Sequence, residues 1–156
     1  MWFGLGIALL TFVLDQVSKL WLLGLMQRHQ GFIEVTPFFN LVMVWNRGVS
    51  FGLFAANSSQ QRWLLIGIAV FMVVVLLVWL VRSRDPWLAG GLGLVIGGAI
   101  GNVVDRLRFG AVADFFDFHA FGFHWPAFNI ADSAIVVGVA ILLLDGLFGE
   151  RDRPRI

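Results

Sequence analysis

The sequence predicts an all-α membrane protein, a bundle of four helices that each cross the bilayer. Three observations carry this expectation. Of the 156 residues 59% are hydrophobic and only 13% charged, mean hydropathy is +0.86, and the apolar residues fall into four long windows. A net charge of +1, with Lys19 the only lysine, offers no basic face for a nucleic acid. The absence of cysteine excludes disulfides, thiolate metal sites and cysteine nucleophiles.

The first window, residues 2–26, differs from a cleaved signal peptide: its start lacks Lys and Arg, and its middle carries Asp15 and Lys19. The second covers 62–82. The third, 87–107, repeats Gly93, Gly97 and Gly101 every four residues with Gly90, Gly91 and Gly98 close by, a face that lets another helix approach closely. The fourth covers 132–148. One membrane domain with two large loops, 27–61 and 108–131, is expected over 1–156. Four crossings put both termini and the RSRDP turn (82–86) on one side. Arginines tie between the sides, Arg82, Arg84, Arg151, Arg153 and Arg155 against Arg28, Arg47, Arg62, Arg106 and Arg108. The first group is packed into a short turn and tail, which places both termini in the cytoplasm.

In the first loop, GFIEVTPFFNLVMVWNRGVSFGLF alternates in part and is rich in β-branched and aromatic residues, predicting short strands broken at Pro37 and Gly48. Phe38, Phe39, Trp45, Phe51 and Phe54 suit the lipid interface, as plain anchors or as part of a substrate cradle.

Ionisable residues within spans are expensive, so each is a functional candidate. At about 1.5 Å per residue, Asp15 lies roughly 20 Å and Asp105 roughly 27 Å from the cytoplasmic ends of their helices. Asp132 opens the fourth helix near the outer face, and Asp114 and Asp117 lie in the preceding loop. Acidic groups are thus expected to gather in the outer third of the bilayer. Each also has a structural reading. Asp15 and Lys19 are spaced to neutralise one another. Asn129 and Asp132 have N-cap and N3 spacing. Asn102 and Asp105 sit one turn apart, with Arg106 as a partner for a carboxylate. Asp145, near the other end of its helix, reads as interfacial.

GVSFG (48–52) matches a nucleophile-elbow pattern, but that motif needs an α/β sheet this chain cannot build. His29, His119 and His124 lack metalloprotease spacing, and with Asp117 two of them suit an interfacial loop better than a metal site. What remains is carboxylate chemistry. Two crowded aspartates share a proton, one serving as base toward water and the other as acid toward the scissile carbonyl or amine. The same groups would serve a small proton-coupled membrane transporter.

The blocks DQVSK (15–19), NRGVSFG (46–52), GNVVDR (101–106), AVADFFDF (111–118) and WPAFNIADS (125–133) resemble, in order and approximate spacing, those of the lipoprotein signal peptidase, or signal peptidase II, family. The resemblance implies a bacterial cytoplasmic-membrane aspartic endopeptidase that needs no cofactor, with four transmembrane helices and a small extracytoplasmic β-rich cradle. Its substrates would be diacylglyceryl-modified prolipoproteins presented from the membrane lipids and cut just before the lipid-modified cysteine. Carried over, Asp114 and Asp132 are the catalytic pair. Asp105 is the rival for the first place and ranks as supporting with Asn102 and Arg106. Asn129 would orient Asp132 or the substrate and Asn46 the substrate backbone, Gly48 of the same block would support them, and Asp15 with Lys19 would brace the site.

Overall fold

The computed structural model describes residues 1–48 and 58–148. Four helices, α1 (Trp2–Arg28), α2 (Ser58–Arg82), α3 (Pro86–Phe109) and α4 (Ile130–Phe148), are long and apolar enough to cross a membrane. Between them lie four short strands, β1 (Phe32–Thr36), β2 (Phe39–Asn46), β3 (Val112–Ala120) and β4 (Phe123–His124). The molecule is therefore a mostly helical membrane bundle with a small antiparallel sheet, as the sequence predicts. The elbow-like Ser50, the interfacial Phe51 and Phe54, and the tail arginines lie outside the described residues.

Helix α3 is the hub, packed against α1, α2 and α4. Its glycines make this possible, because two edges of the helix meet neighbouring backbone directly. A Cβ on Gly93 or Gly97 would strike the carbonyl of Gly4 or Ala8 on α1, and one on Gly98 would lie 2.5 Å from the Ala131 carbonyl on α4. A core of Ala8, Leu76, Leu80, Leu88, Ala89, Leu92 and Ile96 fills the rest of the α1–α2–α3 junction. Asp85 caps α3 by accepting the Trp87 N–H at 2.8 Å, Pro86 suits its first turn, and Gly110 at φ 77° closes it in the left-handed region that a glycine tolerates.

The sheet runs in the order β1-β2-β3-β4, with antiparallel neighbours. Breaks fall after Thr36, beside Pro37, and after Asn46, beside Gly48. Strand β3 was not foreseen, and the cause is its burial. Between Leu41 and Val44 strand β2 bulges, so that Leu41 faces Phe116 while Val44 faces Asp114. Val112–Phe115 are buried on both faces of β3, so the strand shows no apolar–polar alternation, and both Asp114 and Asp117, three residues apart, are buried. Phe115 is fully buried against Leu22 and Met26, which seats the sheet on the end of α1.

Candidate active site

Strand β3 and helix α4 meet through Phe128. Its carbonyl accepts from the N–H groups of Phe115 (3.1 Å) and Phe116 (2.9 Å), and its own N–H donates to the Phe116 carbonyl at 3.2 Å. This short bridge delivers Asn129 to the side of Asp114 immediately before α4 begins. The fully buried Asn129 then works in both directions. Its Nδ2 donates to Asp114 Oδ1 at 2.7 Å, while its Oδ1 accepts the Asp132 N–H at 2.9 Å. Asp132 Oδ2 in turn accepts the Asn129 N–H at 3.2 Å, completing a reciprocal capping box. The cap leaves Asp132 Oδ1 to accept from Asn102 Nδ2 at 2.8 Å.

Asp114 is almost wholly buried, and its Oδ2 accepts from Asn46 Nδ2 at 3.0 Å. Burial pushes its carboxyl up to about 6; the negative charge of Asp132 adds to the rise, while the amides of Asn46 and Asn129 oppose it. Asn46 therefore spends its amide on a carboxylate, and its Oδ1 accepts the Gly48 N–H at 2.9 Å. Gly48, at φ 103°, makes the tight turn this contact requires.

Beneath the pair lies a second polar layer. Lys19 Nζ stands 2.8 Å from both Asp15 Oδ2 and Asp105 Oδ2, and 3.3 Å from Asn102 Oδ1. The helical neighbour Asp15 is thus only half of the lysine's complement. Asp15 Oδ1 accepts the Ala131 N–H of α4 at 3.0 Å, and Asp105 Oδ2 accepts the Ala113 N–H of β3 at 3.2 Å. One ion cluster therefore fixes the two chain segments that carry Asp114 and Asp132. Gln16, absent from the sequence reading, completes it by donating to Asp15 Oδ2 (3.2 Å), Asp105 Oδ1 (3.1 Å) and the Gly101 carbonyl (3.4 Å). The signal was available, since Gln16 is a polar residue inside a span, as Asp15 is.

Two expectations need correction. Arg106 makes no salt bridge among the described residues; its Nη1 donates to the Asn102 carbonyl at 3.3 Å. Adjacent residues on a helix point about 100° apart, so it cannot turn back to Asp105. Asp117, expected with the other carboxylates, belongs to a separate group. It accepts from Asn40 Nδ2 at 3.0 Å and lies 2.9 Å from His124 Nδ1, whose ring stacks on His119. Burial alone would raise its carboxyl, but the bonds from Asn40 and His124 and the charge of the two histidines hold it below the usual value.

The signal peptidase II family model matches residues 7–148. The chain belongs to the signal peptidase II family. A lipoprotein signal peptidase of Caulobacter vibrioides is 49% identical over 154 residues, covering 97% of this chain and 90% of that one. The lipoprotein signal peptidase of Methylobacterium sp. (strain 4-46) is 48% identical over 149 residues, covering 94% and 90%. A bacterial membrane enzyme solved at 1.9 Å by the in meso method superposes with a TM-score of 0.78 at 27% identity, over 93% of this chain and 92% of its own. As a signal peptidase II the chain is a hydrolase of lipoprotein processing and a multi-pass membrane protein, and the transporter alternative finds no support.

Proposed function

We propose that Asp114 and Asp132 are the reacting carboxylates of a peptidase that removes the signal peptide from diacylglyceryl-modified prolipoproteins, cutting just before the lipid-modified cysteine. One observation carries the assignment: the single buried side chain of Asn129 bonds Asp114 and the first turn of α4 that holds Asp132. Asp105, by contrast, is consumed by Lys19, Gln16 and the Ala113 N–H.

The roles follow from environment. Asp114, raised to about 6, keeps the shared proton and is the acid. Asp132, partly exposed, is the base. A water gives a proton to Asp132 as its oxygen bonds to the scissile carbonyl carbon, and Asp114 protonates the carbonyl oxygen. On collapse Asp114 recovers that proton, Asp132 passes its own to the leaving nitrogen, and the C–N bond breaks. Asn46 and Asn129 hold Asp114, Gly48 holds Asn46, Asn102 holds Asp132, and the Asp15–Lys19–Asp105 cluster with Gln16 keeps β3 and α4 in place. Arg106 adds positive charge beside the pair. No step calls on a metal or cofactor.

A groove of about 400 Å³ opens beside Asp132, walled by Trp125, Phe128, Val136 and Val137. Its apolar lining suits the signal helix or an acyl chain of a substrate held in the surrounding lipid. The arginines of the α2–α3 turn support a reading with both termini in the cytoplasm and the carboxylate pair near the extracytoplasmic face of a bacterial cytoplasmic membrane. Incubating the purified chain with a diacylglyceryl-modified prolipoprotein and following the mass lost tests the reading; a properly lipidated precursor left intact refutes it.

A further inference from the structure

At the far end of the bundle from the sheet, the α2–α3 turn borders an open cavity of about 530 Å³ lined by Trp79, Arg82, Ser83, Arg84, Asp85 and Leu88. Nothing in the peptidase chemistry uses it. Neither Arg82 nor Arg84 has an acidic partner within salt-bridge distance among the described residues. Asp85 is already engaged as the α3 cap. Two guanidinium groups against one carboxylate leave the cavity with one positive charge. The polar side is completed by the Ser83 hydroxyl and the wall by Trp79 and Leu88, apolar groups continuous with the membrane-crossing helices.

We propose that this cavity seats the phosphate of an anionic glycerophospholipid, with the two arginines on its oxygens and the acyl chains passing Trp79 and Leu88 into the bilayer. Guanidinium forks match phosphate oxygens in pairs, and basic pockets between membrane helices hold anionic head groups. A net single positive charge fits one phosphodiester. The site lies at the opposite end of α3 from Asn102 and Asp105, which support the carboxylate pair, and stands independently of the roles assigned there.

The test is native mass spectrometry of the purified, delipidated full chain titrated with phosphatidylglycerol or phosphatidylcholine. The expected result is a preference of roughly ten-fold for phosphatidylglycerol. It should vanish in the Arg82→Gln/Arg84→Gln double variant and persist in Arg28→Gln, which removes one positive charge by the sheet. Prolipoprotein cleavage should be retained in both, reporting that they fold. Equal binding of the two lipids by the wild type overturns the proposal without any variant. So does a preference that survives loss of both arginines, or displacement of the lipid by inorganic phosphate or glycerol phosphate at similar concentration, which would make the ligand a soluble phosphate.

Discussion

The Asn129 amide donates to Asp114 at 2.7 Å from the N-cap position of the helix that carries Asp132. A capping residue is ordinarily a matter of helix stability, worth about 1 kcal/mol. Here it also sets where one carboxylate lies relative to the other. Asn129→Asp keeps a capping oxygen but replaces the amide donor with a third carboxylate facing Asp114. It should lose turnover by at least about two orders of magnitude and lose thermal stability as pH rises and the new, fully buried carboxylate ionises. Thermal unfolding in detergent alongside kcat separates the two effects.

Asp114→Asn and Asp132→Asn should each abolish cleavage of a lipidated precursor, whereas Asp105→Asn should retain part of it. An amide keeps the shape of the carboxyl group but cannot exchange its proton. Substantial turnover by either dyad variant would refute the assignment. Chelators should leave wild-type turnover unchanged, and zinc-restored loss with EDTA would return attention to Asp117, His119 and His124.

The acid role of Asp114 predicts a kcat/KM profile whose alkaline limb falls as pH rises through about 6, where its proton is lost. Stability should move the same way. A carboxyl raised in the folded state takes up its proton more readily when folded, so lowering the pH through about 6 stabilises the fold, and the effect is complete near the unfolded value of 3.8. Asp114→Asn should be more stable than wild type at pH 8 and should remove this part of the pH dependence.

Lys19→Met leaves Asp15 and Asp105 facing one another in the interior, at a penalty of about 3–5 kcal/mol for an unpaired buried charge. The double variant Lys19→Met/Asp105→Asn should recover part of the lost stability. If the two substitutions merely add, the shared ion pair is refuted. Gln16→Leu should lower both stability and kcat.

Gly97→Leu should disrupt the bundle, because its Cβ would strike the Ala8 carbonyl, a backbone group that cannot swing aside. Gly6→Ala, with open space around the added methyl, should be neutral or mildly stabilising. Comparing the two melting temperatures checks which glycines form contacts and which are incidental.

The spans were legible because hydropathy and length suffice for them, and the stripe of Gly93, Gly97 and Gly101 because a period near four marks one helix face. The capping box of Asn129 and Asp132 was legible from its spacing. Strand β3 was hidden, since its first half is buried on both faces and does not alternate, and its buried carboxylates look like loop residues. The pairing of Lys19 with Asp105 was hidden too, for it joins α1 to α3 through a contact no local spacing encodes. Asn40 escaped notice because the group it forms with Asp117 and His124 comes together only when β2, β3 and β4 align.

The shared lysine also bears on how the chain is made. Helix α2 carries no ionised side chain between Arg62 and Arg82 and is at home in lipid unaided. Helices α1 and α3 each bring charges that lipid will not solvate: Asp15 and Lys19 on one, Asp105 and Arg106 on the other. During synthesis α1 leaves the ribosome before α3, so Asp15 and Lys19 gain their full complement only when α3 arrives to share Lys19. The N–H of Ala131 on α4 then closes the last open valence of Asp15. Membrane insertion of this chain is therefore a stepwise assembly, in which α4, emerging after the other three described helices, completes the machinery.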